Sequence, residues 1–339
     1  MGKRAGGAEG AGQDGESGAV FVSSAGLDEG PHLRRAPAPA TIGPRHLGGT
    51  DMTLSQKKDD PAVVIIAAIC DYWAGPDNVL DDASGERAWD KPIVGFARGD
   101  DPIFQQFKEV VDREHWAPLD AFARAFPGTD ARPEDLTVIS WVLPQTRATR
   151  LDHRKETRYP SMRWARSRTR GESFNLRLRT HLVNALAERG IQAAAPGLLP
   201  GYCSKSGGRW VKTSNWSERH MAFAAGLGTF GLCDGLITPA GKAMRVGSVV
   251  ARAEVPPTPR LYADHHAYCL FYAKGTCGKC MTRCPVGAIT EAGHDKMKCD
   301  AHLEKMGAFV ETTYGFKGYG CGLCQVGVPC ESGIPKSLR

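Results

Sequence analysis

Two short runs of branched apolar residues stand out along the chain, 62–69 (AVVIIAAI) and 136–143 (LTVISWVL), each bounded by turn-forming residues. Runs of that length and branching predict buried β-strands. Between them Phe104, Phe107, Val110 and Val111 recur at helical spacing within 101–126, with breaks expected at Pro118 and Pro127. A further helix is predicted from Ser173 as N-cap, through Leu178, Leu182, Val183 and Leu186, to a stop at Gly190. Strand and helix patterns thus alternate, and the expected fold class is an α/β (α+β) core domain over residues 61–255. No run reaches the roughly 18 apolar residues that a membrane span takes, so no membrane partner is expected.

The pattern is absent from residues 1–60, which are rich in Gly, Ala, Pro and Asp and poor in aromatic and branched apolar side chains. Such a segment buries too little surface to offset its ordering entropy, and a disordered tail is expected. Arg34-Arg35 is followed by PAPATIGP rather than an apolar stretch, and Glu9, Asp14 and Glu16 do not suit a mitochondrial leader, so a cytoplasmic location is expected. Met52 is an alternative start.

Composition changes the picture at the other end of the chain. Of 11 cysteines in 339 residues, eight fall between 269 and 330: Cys269, Cys277, Cys280, Cys284, Cys299, Cys321, Cys324 and Cys330. The stretch GTCGKCMTRCPVGAI resembles a bacterial ferredoxin motif, C-x2-C-x2-C-x3-C-P, with Lys274 standing where the first cysteine belongs. Cys269 can supply that ligand by a loop through LFYAKGT. In such motifs the cysteine before the proline joins the later cysteines and the last one returns to the first cluster. That assigns Cys269, Cys277, Cys280 and Cys330 to one 4Fe-4S cluster and Cys284, Cys299, Cys321 and Cys324 to another, in an appended bacterial-type two-cluster ferredoxin-like domain over 256–339. A pair of zinc sites is the alternative, since C-x2-C knuckles serve zinc as well. Cys70, Cys203 and Cys233 lie outside the set and read as small apolar filler.

A wider resemblance enters at residues 214–250, SNWSERHMAFAAGLGTFGLCDGLITPAGKAMRVGSVV, followed in order by CMTRCPVGAI, the isolated Cys299 and CGLCQVGVPC. The series resembles the epoxyqueuosine reductases and corrinoid-dependent reductive dehalogenases over roughly residues 160–332. The resemblance implies an oxidoreductase in which a low-potential donor, flavodoxin or ferredoxin, feeds two 4Fe-4S clusters. These in turn reduce a bound cobalamin that breaks a C–O or C–halogen bond in a small-molecule substrate. It also implies that Gly226, Gly228, Gly231 and Gly241 let backbone approach the corrinoid ring. No D-x-H-x-x-G motif offers a lower histidine ligand. Where epoxyqueuosine reductases carry their proton-donating aspartate, six residues before the position of Glu218, this chain has Lys212, which becomes the catalytic candidate. The last knuckle is C-x2-C-x5-C rather than the shorter x3 form, so a divergent branch is expected, and tRNA is not the favoured partner. A ferredoxin-like electron carrier without corrinoid is the other reading.

Charge adds one feature. Residues 147–179 hold 11 Lys and Arg against 3 Asp and Glu, +8 in a chain of net +6, so the rest sums to −2. Such a segment suits tRNA, a corrinoid phosphate or an acidic donor protein, or else it is a solvated helix face. Tyr202, Cys203, Lys205, Cys233 and Asp234 complete the polar candidates near the resemblance. His153, His220, His265 and His266 have no metal-ligand spacing.

Overall fold

The computed structural model describes residues 60–206 and 212–339. The predicted strand at 136–143 is present as β2 of a four-stranded sheet, and its burial explains the sequence pattern. Chain order runs α1 (Pro61–Ala74), β1 (Ile93–Arg98), α2 (Ile103–Val110), α3 (Pro118–Ala125), β2 (Thr137–Pro144), α4 (Arg147–Arg154), α5 (Met162–Ala187) and β3 (Ala193–Ala194). It continues through β4 (Ser204–Ser206), β5 (Lys212–Ser214), α6 (Glu218–Ala224), β6 (Thr229–Phe230), β7 (Leu236–Ile237) and β8 (Met244–Ala251). The C-terminal part holds α7 (Leu270–Lys274), α8 (Lys279–Arg283), β9 (Ile289–Thr290), β10 (Gly293–His294) and α9 (Lys296–Tyr314).

The sheet order is β1-β2-β8-β3, and every pairing in it is antiparallel, with Ile139 opposite Phe96 on one side and Val249 on the other. Of the two forms expected, the core is therefore α+β. Every residue of β2 is buried. Val138 and Val142 pack with Phe104, Phe107, Phe122 and Met221 from α2, α3 and α6, while Ile139, Trp141 and Leu143 pack with Ile65, Ile69, Phe174 and Leu182 from α1 and α5. A strand covered on both faces needs apolar residues at successive positions, which is why 136–143 reads as a continuous run.

The same reading fails at 62–69, which is helix α1. Asp60 caps it, its carboxylate accepting from the Ala62 amide at 2.8 Å, and Pro61 occupies the first turn, where its missing N–H costs nothing. Only Ile65 and Ile69, one turn apart, are fully buried, whereas Val63 and Ile66 are exposed. The run thus has helical burial despite its strand-like composition.

Pro118 opens α3 instead of breaking a longer helix. The helix expected from Ser173 begins earlier: Ser161 is the N-cap of the 26-residue α5, and the Ser173 hydroxyl inside it donates to the Thr169 carbonyl at 3.1 Å. Gly190 lies just past its end at φ 73°. Within α5, Gly171 allows Trp89 to lie against the helix and donate to the Gly171 carbonyl at 3.1 Å. A Cβ there would stand 2.6 Å from the indole, so only glycine fits.

No helix among the described residues is long and apolar enough to cross a membrane. The expectations for the N-terminal tail and for Met52 lie outside the described residues.

Candidate functional site

Apart from the 19-residue α9, the C-terminal elements are very short, and what they position is sulfur. Cys277, Cys269, Cys280 and Cys330 line one narrow cavity, closed by apolar Leu232, Ile237 and Val328. Cys280 falls in the first turn of α8, buried. At the end of α8 the chain turns at Cys284-Pro285, and the Ala288 amide donates to the Cys284 sulfur at 3.2 Å. Cys299 sits in the first turn of α9, whose N-cap Asp295 accepts from the Lys298 amide at 2.9 Å. Burial pushes the Cys321 thiol up to about 11, with Cys299 and Cys284 among the neighbours that add to the effect. Cys324 interacts with Cys321 on one side and with Cys233 on the other. Among the described residues, no three His, Cys, Asp or Glu side chains close around a single metal ion.

Beside this nest lies a cavity of about 530 Å³, open to solvent on one side. Six basic side chains line it, Arg179, Lys212, Arg219, Lys242, Arg245 and Lys296, against the two carboxylates Glu172 and Glu218. Lys242 borders both this cavity and the cysteine-lined one. Gln325, the residue after Cys324, also reaches the larger cavity. The sulfur nest and the open cavity therefore share a wall.

The cavity holds groups able to keep a proton. Glu218, in the first turn of α6, accepts from the Ser248 hydroxyl at 2.6 Å and from Arg179 at 3.1 Å. Burial raises its carboxyl above the usual range even though Arg179 and Ser248 oppose the shift. Tyr202 is raised by burial and then by the Glu218 charge. His220 shares a 2.7 Å hydrogen bond with the Ser217 hydroxyl, and burial, with His115 nearby, holds its ring well below the usual histidine range. Arg179 Nε is buried without a hydrogen-bond partner. Lys212, on β5, lines the cavity but is ion-paired to Asp300 of α9 at 2.5 Å.

The four glycines expected to face a ring are used by the protein itself. Gly226 (φ 75°) backs onto the Thr258–Pro259 backbone and Gly228 onto the Ile237 carbonyl, and Gly241 (φ 90°) meets the Glu331 backbone. Gly231 packs on Ile237 and borders the cysteine-lined cavity. None of the four lines the large cavity, where Gly197 and Gly235 stand instead. Their spacing reflects close packing of chain on chain.

Cys233, read from sequence as filler, belongs to the nest, beside Cys280 and Cys324. Asp234 (φ 56°) pairs with His294 at 3.2 Å and Lys296 at 3.8 Å. Cys203 lines a separate open pocket with His115 and Trp116, and Cys70 is half-buried on α1. Lys205 falls in β4. His153 stacks on Trp164 and His266 faces the Phe230 carbonyl, so both serve structure. Sequence reasoning missed Arg179, Lys242, Arg245 and Lys296, which come from three separate stretches of chain and carry no common motif.

The basic segment is largely neutralised within the chain. Arg163 pairs with Glu86, Arg166 with Asp81, Arg170 with Asp82 and Arg154 with Glu331. The acids come from the 77–86 loop and the C-terminal knuckle, which the charge count over 147–179 leaves out. The surface field is accordingly weaker than +8 implies.

No protein-family model matches the chain. Over 170 residues it is 29% identical to epoxyqueuosine reductases of Bacillus anthracis and Bacillus cereus, covering 48% of this chain and 40% of theirs. The match thus spans about two fifths of the relatives' length. Solved structures that resemble it include a selenomethionine-labelled epoxyqueuosine reductase and an epoxyqueuosine reductase with a tRNA-Tyr epoxyqueuosine-modified tRNA stem loop. Each is 17% identical with a TM-score of 0.40, over 74% of this chain and 64% of the other.

Proposed function

We propose that this relative of the epoxyqueuosine reductases is an iron–sulfur oxidoreductase. In this reading the cysteine nest would hold two 4Fe-4S clusters and the open cavity a cobalamin, which together would supply the electrons for reductive cleavage of a C–O or C–halogen bond. The observation that carries it is Lys242, which borders both cavities. A donor reduced on one side of that wall lies directly behind whatever occupies the other.

The thiols suit cubanes better than zinc. A zinc ion draws four ligands to about 2.3 Å from one centre, and no such convergence exists among the described residues. A cubane offers a separate iron to each thiolate and so accepts a wider set. Cys269, Cys277, Cys280 and Cys330 would hold one cluster, and Cys284, Cys299, Cys321 and Cys324 the other, in the ferredoxin-like arrangement of residues 256–339. The open cavity suits a corrinoid through its open side, its apolar Leu176, Leu236 and Met244, its six basic side chains and the unpartnered Arg179 Nε. Cobalamin, when bound, supplies the strongly reducing nucleophilic centre that amino-acid side chains lack. Glu218, protonated more readily than a solvated carboxyl, and Tyr202 supply the proton to the leaving group. Lys212 holds the rim through Asp300 and presents positive charge to the substrate. Flavodoxin or ferredoxin is the donor class.

Anaerobic reconstitution is expected to give about eight iron and eight sulfide per chain. Added hydroxocobalamin, after reduction, should show a stoichiometric five-coordinate paramagnetic resonance signal. Two equivalents of zinc with no sulfide would overturn the cluster assignment, and free cobalamin beside intact clusters would leave an electron carrier. The relatives' name favours a second reading, reduction of epoxyqueuosine in tRNA. Salt-dependent binding of the modified stem loop over an unmodified one distinguishes it.

A further inference from the structure

The nest contains one thiol more than two cubanes use. Cys233, 6% exposed, lies beside Cys280 and Cys324, one from each ligand quartet. Its sulfur accepts a hydrogen bond from Lys242 Nζ at 3.2 Å. Lys242 is itself only 3% exposed, and burying an ammonium is costly unless it is paired. Its position is fixed from both directions: the backbone N–H donates to the Cys330 carbonyl at 2.9 Å and the Glu331 carbonyl at 3.2 Å, and the side-chain stem passes Gly235, where a Cβ would stand 3.0 Å from it. The chain thus places a buried cation and a ninth sulfur at the boundary between the two quartets and against the wall of the open cavity.

We propose that Lys242 and Cys233 form a hydrogen-bonded bridge between the two cluster sites that raises the reduction potential of the cluster it borders and so sets the electron path toward the cavity. The inference rests on the iron–sulfur reading above. Hydrogen bonds to cluster sulfurs, net charge and solvent exposure set cluster potentials. With both clusters bound, a one-electron exchange between them would oxidise one and reduce the other by one unit, with no bond made or broken in the protein. The added negative charge is offset by the nearest fixed cation, and the dry surroundings leave that interaction poorly screened. Cys233 holds the Lys242 ammonium beside Cys280 and Cys324 without ligating iron. Lys242 is thereby a positioning residue for electrons.

The test is potentiometric titration followed by paramagnetic resonance, with iron and sulfide counted on the same samples. Lys242→Met should keep about eight irons and shift at least one midpoint negative by about 59 mV or more, a tenfold change in a one-electron equilibrium. Lys242→Arg should stay near the wild type. If Lys242→Met sheds iron, Cys233→Ala carries the test, since it keeps the lysine charge and removes the sulfur that holds it: a midpoint moved in either direction at full iron content supports the bridge. Unmoved midpoints in either variant overturn it. So does loss of about four irons from Cys233→Ala, because Cys233 would then be a ligand. Absence of any cluster in the wild type sinks the iron–sulfur reading along with the bridge, whereas clusters with unmoved potentials sink the bridge alone.

Discussion

The α+β core and the cysteine nest are built from the same chain by different means. The core covers its sheet on both faces with aromatic and branched side chains, among them Trp89, Trp141, Phe104, Phe107, Phe122 and Phe174, all fully buried. Between 256 and 339 the buried apolar side chains are Ala288, Ile289, Met306, Val310, Leu323 and Val326, with Cys269 and Cys280. Helices there are as short as five residues and strands as short as two. A region so poor in apolar burial depends on cross-links of another kind. The core's order comes from hydrophobic burial, and the nest's order is expected to come from what its sulfurs bind.

The largest test of that contrast removes ligands. Cys277→Ala and Cys299→Ala should each cost about four of eight irons, and each should loosen 256–339 to proteolysis while the core unfolds at its usual temperature. Loss of all iron from either variant in a folded protein would break the two-quartet partition. Equal loss of core stability would break the contrast itself.

The next test strikes a buried polar anchor that ties the nest to the core. Glu331 is 2% exposed, takes two hydrogen bonds from Arg154 at 2.7 and 2.8 Å and one from the Gly327 amide at 2.6 Å, and adjoins Cys330. Glu331→Ala leaves those donors unpaired and should cost about 3 kcal/mol. Calorimetry should show the loss, and iron at the Cys330 quartet should leave first. If the melting temperature falls with iron content intact, the anchor serves the core alone.

Acid separates the two regions by titration. His115, buried under α3, accepts from the Ser217 amide, and burial lowers it to about 4. Between pH 6.5 and about 4 the unfolded chain takes up a proton that the folded chain refuses, so folding stability falls as pH drops through that window. The loss is about 3 kcal/mol at full effect. His115→Gln lacks this term, so its deficit relative to wild type should shrink on acidification. Parallel stability curves for the two proteins would show that His115 is not the acid-sensitive group.

How much of this was legible follows the same division. The strand at 136–143 was readable because burial on both faces leaves a continuous apolar run, and the gathering of the late cysteines because they lie close together in sequence. The open cavity was not, since Arg179, Lys212, Glu218, Lys242 and Lys296 converge only through the tertiary fold. The charge of 147–179 misled because its acidic partners lie at 81–86 and 331. The four glycines read either way, because close approach to a cofactor and close approach to one's own backbone demand the same residue.

The smallest effect tests the element where composition and structure disagreed. Residues 62–69 have the branched apolar content of a strand, yet Asp60 and Pro61 start a helix whose buried positions are one turn apart. If capping selects the helix over the strand, Asp60→Ala should destabilise the core by about 1 kcal/mol through loss of the bond to the Ala62 amide, and Asp60→Asn or Asp60→Ser should recover most of it. The nest should be indifferent, with iron content and midpoint potentials unchanged. Amide exchange is the sharper readout: protection across 64–74 should fall in Asp60→Ala and return in Asp60→Ser. A strand would have no use for a side-chain acceptor at that position, so equal protection in all three proteins would remove the cap from the account and leave Ile65 and Ile69, packed against Phe174 and Leu182, as the sole reason for the helix.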